Sequence, residues 1–505
     1  MKKIVPIIIA IFLGSSIPVY AADNKEGRLW QDETVYSIMI DRFYDGDTKN
    51  DIDTNSKDPN DFNGGDFQGI IDKLDYIHDM GFTAIRLTPI FANSKNGYHG
   101  YWVKDFYKTD KHFGSIETFQ KLVSEAHKRN MKVVIDFVAN NVATDHPWVN
   151  DSGKQDWFHK RLDIHDWNNQ QEVENGWVDG LPDLNQDNPE VKKYLIDAAD
   201  WWIRKTNIDG YSLPEVNNVP VSFWRDFSKS VKQEKKDFFL LGIPADKTSP
   251  NMKIYENAGI DSMLNDQQSN HLRNFFATTD QSFGSLNSDI KKMKEQFKQP
   301  FLMANFFDNE NTPRFTKDIV DKRQFPGARW QTALVYLYTT PGIPVVFYGS
   351  EIALNGGEIP DNRGQMNFRA NKDLIDYITS LAKLRNQLPS LTRGSMEMLY
   401  EKNGMVVYKR IYKGETSIIA INNTSKSQHV TLTENQIVGG KELRGLLAGD
   451  LVRNKDHKYD LILNRDKAEI YVLTNKSGIN FTMIGSLVVV YLLAVLFIWR
   501  IKKRK

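Results

Sequence analysis

Short apolar, β-branched runs recur eight times between residues 34 and 348, most of them separated by stretches with helical spacing. The runs are 34–40, 84–90, 132–140, 209–213, 238–243, 261–264, 301–307 and 343–348. The intervening helices are clearest at 70–80, closed by Gly81, at 116–129, and at 189–205, where Asn188 supplies an N-cap and Pro189 the first helical position. Strands separated by helices must run parallel, and eight such units predict a (β/α)₈ barrel with its working residues at the C-terminal strand ends. The barrel takes residues 23–140 and 189–383.

The alternation stops between 141 and 188. This insertion carries Trp148, Trp157, Trp167 and Trp177, read first as a small aromatic core and second as a sugar platform. After residue 383 the period changes to short strands such as 404–411 and 416–422, predicting a β-sandwich over 384–475. Residues 1–22 read as a signal peptide. Residues 481–499 carry no charge and precede a basic tail, 500–505, a pattern that predicts a membrane-spanning helix with a cytoplasmic C-terminus. With 65 basic and 64 acidic residues the chain has no bias toward nucleic acid, and without cysteine it has neither disulfides nor thiolate metal sites.

Asp45, Asp47, Asn50, Asp51, Gly64 and Asp66 gather oxygen ligands on glycine-containing loops, which suits a hard cation such as Ca²⁺ and equally describes a solvated acidic loop. Further short motifs follow in order: Asp41-Arg42-Phe43, Gly64-Gly65-Asp66-Phe67-Gln68-Gly69, Tyr98-His99-Gly100-Tyr101-Trp102, residues 136–140, Asn311-Thr312-Pro313-Arg314-Phe315, Phe347-Tyr348-Gly349-Ser350-Glu351 and Pro360-Asp361-Asn362-Arg363.

Together these motifs resemble the α-amylases of glycoside hydrolase family 13, in particular a bacterial subgroup with a hydrophobic, basic C-terminal tail. The resemblance implies Ca²⁺ at the acidic cluster and a second ion at Asn140 and Asp183, with Asn218 offering an amide oxygen. It also implies a sugar site at His99, Tyr101, Trp102, Glu310 and Arg363. At the family's three catalytic carboxylates, however, stand Pro214, Ile243 and Asn311, and the Arg that supports the nucleophile is Ser212. Asn141 and Ile359 replace two further polar groups of the site. Of the carboxylates near these positions, Glu215 is turned to the opposite side by strand alternation and Asp246 lies three residues past its position, too far into the loop, which leaves Glu310 as the better-placed substitute. The expectation is therefore a membrane-tethered, extracellular protein that binds an α-glucan, maltooligosaccharide or surface glycan weakly without cleaving it. Two alternatives stand beside it: an active α-1,4-glucan hydrolase with unorthodox residues, and a protein-interaction subunit resembling transporter heavy chains, its protein partner unidentified.

Overall fold

A computed structural model describes residues 27–245, 251–437 and 439–475, and beyond them only positions 491, 494, 499 and 500. The expected signal peptide, nearly all of the apolar segment 481–499, and Asp246 lie outside the described residues. Eight parallel strands form the core of the first unit: β1 (Val35–Ile38), β2 (Ala84–Leu87), β3 (Lys132–Asp136), β4 (Gly210–Leu213), β5 (Phe239–Gly242), β6 (Ser262–Met263), β7 (Ala304–Asn305) and β8 (Ile343–Phe347). They pair in the order β6-β5-β4-β3-β2-β1-β8-β7, and a parallel bridge between Leu264 and Ala304 closes the ring. The (β/α)₈ barrel is therefore present, with shorter strands than the sequence pattern suggests. The chain leaves β1 directly into a helical turn, Ile40–Phe43, and Pro300 begins a 3₁₀ turn where the seventh strand was expected to start.

Local chemistry sets the helix ends. Asp66 caps α1 (Phe67–Asp79) by accepting from Gly69 N–H, and Ser115 caps α2 (Ile116–Lys128) through Thr118 N–H. Asn188 accepts from Glu190 N–H at the start of α3 (Pro189–Thr206), and Asn207 ends it in the left-handed region at φ 59°. The buried faces of these helices close over the sheet, with Trp202 fully buried and donating its indole N–H to Phe106 O at 2.6 Å.

In the insertion, Trp157 is buried and packs edge-on against Trp148 at 4.7 Å, while Trp148 meets Tyr194 at 4.7 Å. These three rings form a small aromatic core. The C-terminal unit holds a six-stranded antiparallel sheet and a separate two-stranded ladder, Gln428–Thr433 with Lys458–Leu463. A distinct apolar cluster that includes Val407, Ile418, Val430 and Leu461 lies between them. Buried arginines clasp this unit to the barrel: Arg329 donates to Asn423, and Arg410 to the carbonyl of Thr339.

Candidate active site

Register brings four polar positions together inside the barrel. Ser37 of β1 lies beside Arg86 of β2, and Asp136 of β3 lies beside Ser212 of β4. Arg86 is 3% exposed, and each of its three guanidinium nitrogens is used. Nε donates to Asp136 Oδ1 at 2.8 Å and to Ser212 Oγ at 3.1 Å. Nη2 donates to Asp136 Oδ2 at 2.6 Å and to Glu310 Oε1 at 2.7 Å. Nη1 reaches Glu310 Oε2 and Ser37 Oγ, both at 3.0 Å. One guanidinium thus grips two carboxyl groups bidentately, a geometry that only an arginine fork offers. Ser212 adds a short hydroxyl contact to Asp136.

Tyr101 lies over this pair. Its hydroxyl is 2.8 Å from Asp136 Oδ2 and 3.0 Å from Glu310 Oε1, and its ring stacks at 5.7 Å on His99. His99 accepts from Tyr101 N–H and meets Trp102 edge-on at 4.7 Å. Burial first, then the cations of Arg363 and Arg42, drive the His99 imidazole down to about 3, so it is neutral at ordinary pH. Arg363 holds the Glu310 backbone, Nε to the carbonyl at 2.9 Å, and reaches the Tyr98 hydroxyl at 3.2 Å. The five sugar-site residues expected from the motifs therefore sit side by side.

The electrostatics separate the two carboxyl groups. Burial pushes both upward, and the Arg86 charge opposes that push at each. For Glu310 the opposition wins, with added help from the Tyr101 hydroxyl, and its carboxyl is held below the usual range. For Asp136 burial wins, reinforced by the charge of Glu310, and its carboxyl is raised. Two carboxyl groups whose proton affinities are pushed apart are the pattern from which acid and base assignments are read.

The positions of the family's three carboxylates carry no comparable group, and the buried Asp308 and Glu351 are committed to the Ser350 hydroxyl and Phe315 N–H and to the Tyr36 and Tyr76 hydroxyls, respectively. Pro214 is half-buried just past β4, Ile243 is buried at the end of β5, and Asn311 is exposed with its side chain 3.5 Å from Arg363. Glu215 does not continue the strand at all. It adopts a left-handed backbone at φ 51° and turns its carboxylate to Asn140 Nδ2 at 3.1 Å, away from the central pair. Asp136 and Arg86 were not among the expected site residues. The available signal was a charged side chain inside β2 and another closing the apolar run of β3, each costly to bury unless paired.

The expected cation ligands form two groups. In the first, the oxygens Asn50 Oδ1 and Asp51 Oδ1 are buried without a partner, and Asp51 Oδ1 occupies the space a Cβ on Gly64 would need. Asp45 and Asp51 are both raised, by burial first and then by neighbouring negative charge. Asp66 is committed elsewhere, accepting N–H bonds from Gly46, Asp47, Asn50 and Gly69, and Asp47 accepts from Lys49. In the second group Asn140 Oδ1 and Asp183 Oδ1 are buried and unpaired. These orphaned oxygens suit a hard cation. Among the described residues no cluster of three or more His, Cys, Asp or Glu side chains is arranged to hold one.

Comparison with known proteins is decisive at this point. The family described as "Alpha amylase, catalytic domain" matches residues 37–389, and its C-terminal domain matches residues 394–471. The chain belongs to the α-amylase family. A crystal structure of an Anoxybacillus α-amylase is 55% identical, superposes with a TM-score of 0.88, and covers 90% of this chain and 100% of that one. An intracellular maltogenic amylase of Bacillus subtilis (strain 168) is 32% identical over 84% of this chain and 74% of its own length. A β/α-amylase of Paenibacillus polymyxa is 34% identical over 88% of this chain, which spans only 38% of that protein.

Two expectations are corrected by these findings. Relatives along most of the chain are named amylases, so the reading of this α-amylase-family member as a binding protein without hydrolytic activity is withdrawn, and the transporter-like subunit with it. The placement as a membrane-anchored, extracellular protein is withdrawn too. Among the described residues no helix is long and apolar enough to cross a membrane, and a relative similar over 84% of the chain is named intracellular.

Proposed function

We propose that the protein hydrolyses α-1,4-linked glucans, with Asp136 and Glu310 as the reacting pair in place of the family's own carboxylates. Pro214 and Ile243 have no proton to give and no electron pair to attack with, and Asn311 carries no charge. The observation that carries the reading is the grip of one Arg86 nitrogen on an oxygen of each carboxyl group. Because Nη2 lies 2.6 Å from one oxygen and 2.7 Å from the other, the two can be no further apart than those distances laid end to end. That bound excludes the wider spacing of an inverting glycosidase, about 6.5–9.5 Å, and leaves the retaining arrangement, in which one carboxylate attacks and the other serves as acid and then base.

In this reading Glu310, the lowered carboxyl, attacks the anomeric carbon as the glycosidic bond breaks. Asp136, the raised carboxyl, is assigned the acid role: it gives a proton to the departing glycosidic oxygen, then takes one from the water that attacks the anomeric carbon and frees Glu310. The Tyr101 ring beside Trp102 and His99 supplies a stacking surface for a maltooligosaccharide, and its hydroxyl must leave the pair before a sugar can settle. Activity is expected only while Glu310 is ionised and Asp136 protonated. It falls as pH drops through the depressed Glu310 value and falls again as pH rises through the raised Asp136 value. The test is reducing-sugar release from maltooligosaccharides by repurified protein across that range. A two-limbed profile is expected, and no release at any pH overturns the proposal.

We also propose Ca²⁺ as a structural ion of the first group, on Asp45, Asn50 and Asp51, and of the second, on Asn140 and Asp183. The orphaned oxygens support this, and a bound cation would neutralise the negative charge crowded around Asp45 and Asp51. Binding to the native state alone at a hundredfold excess over Kd adds about 2.7 kcal/mol. Calcium is therefore expected to raise the melting temperature and chelator to lower it. An unchanged temperature in both directions removes the assignment.

A further inference from the structure

We propose that Arg86 is the positioning residue of the site, a single fork on β2 that holds the Asp136 and Glu310 carboxyl groups face to face. The inference rests on the reading of these two groups as the reacting pair. Three observations support it.

The first is geometry. Glu310 comes from the loop after β7, whereas Asp136 lies on β3, across the barrel in the strand order. No backbone element joins them, and Arg86 is the cation bonded to both. The second is space. Arg86 can cross the barrel because its neighbours there, Ser37 and Ser212, are small, and each hydroxyl takes one of its remaining hydrogen bonds. The third is charge. Two carboxyl groups share one guanidinium, so one excess negative charge remains in a dry site, where a proton settles on one partner. The groups facing the pair are few: the Tyr101, Ser37 and Ser212 hydroxyls, the neutral His99 behind Tyr101, and Arg363, which bonds the Glu310 carbonyl rather than its carboxylate. Asp136, on the strand itself, is the partner whose carboxyl is raised, and Glu310, on the loop beyond the strand ends, the one whose carboxyl is lowered. Without Arg86 both groups should rise and compete for the same proton.

A purely structural arginine would also be missed on removal, so the test needs a readout that stability does not move. Arg86→Lys keeps the charge but loses the bidentate fork. Its acid limb for kcat/KM, which reports Glu310 ionisation, is expected to shift upward by about one pH unit or more. Arg86→Ala is expected to lose turnover by roughly 10²-fold and to recover part of it with added guanidinium ion, which leaves the unaltered protein unchanged. Unshifted limbs in Arg86→Lys together with no guanidinium rescue, in variants that still melt cooperatively, would overturn the proposal. If Arg86→Ala does not fold, the lysine variant alone decides. Carboxyl ¹³C titration of Glu310 separates this inference from the hydrolysis reading. Should the unaltered protein release no sugar, a Glu310 signal that titrates higher in Arg86→Lys still supports Arg86, and an unchanged signal removes it.

Discussion

Glu310→Gln is expected to lower maltooligosaccharide hydrolysis by roughly 10³-fold or more, and Asp136→Asn by about 10²–10⁴-fold. Each amide keeps the shape of the acid it replaces but sets an NH2 where the carboxyl group accepted from Arg86, so the melting temperature is needed beside the rate to separate chemistry from packing. The amide of Glu310→Gln cannot form a stable glycosyl ester, and that of Asp136→Asn has no acidic proton for the leaving oxygen. The two changes together should cost little more than the worse of them, because groups that act as one unit are not additive. Pro214→Ala should leave turnover roughly unchanged, since the proline side chain offers a sugar neither a charge nor a hydrogen bond. Initial rates on maltotriose, with the melting temperature measured alongside, check all four variants. Equal rates in Glu310→Gln and the unaltered protein would remove the pair from the mechanism.

The second large effect concerns stability. Arg385 lies in the helix Asp373–Gln387 and is 1% exposed. Its guanidinium donates to four carbonyls from separate parts of the chain: Tyr338 at 2.9 Å, Leu391 at 3.1 Å, Gln31 at 3.0 Å and Gly342 at 2.8 Å. It thereby ties the N-terminal turn, the entry to β8 and the start of the C-terminal unit to one point. Arg385→Ala leaves those acceptors buried and unpaired, and hydrogen bonds to a charged donor are worth about 1.5–3 kcal/mol each, though not additively. A loss of about 2–4 kcal/mol is expected, since each buried carbonyl left unpaired costs about 1–3 kcal/mol and removing a desolvated charge offsets part of the sum. In urea it should appear as a lower midpoint with an unchanged slope. An unfolding free energy within about 0.5 kcal/mol of the original, the ordinary scale of surface changes, would contradict this.

Most of the architecture was legible because it is repetitive. Eight apolar runs between helices, with Asn188-Pro189 opening one helix and Gly81 closing another, specify parallel strands whatever the residues at their ends. The residues proposed to meet the sugar were legible for a different reason: Tyr101 and Arg363 lie in short motifs that fix their own surroundings. The central pair was harder to see. Glu310 drew attention as a carboxylate out of place, but its partner Asp136 lay inside a strand pattern, and Arg86 passed as one residue of the run Ala84-Ile85-Arg86-Leu87. Pairing across a barrel joins residues 50 and 224 positions apart in this chain, and such long-range juxtaposition leaves no local periodicity. Glu215 was set aside on strand alternation. Its carboxylate does face elsewhere, but through a left-handed turn rather than an extended strand.

The central claim is that glucan cleavage runs through Glu310 as nucleophile. Incubation with a fluorinated maltooligosaccharide that forms the glycosyl ester faster than it breaks down, followed by proteolysis and peptide mass spectrometry, tests it directly. The account predicts a single glycosyl adduct on the peptide containing Glu310, lost in Glu310→Gln. An adduct on any other residue, or full turnover with no adduct and inverted anomeric product, would contradict it.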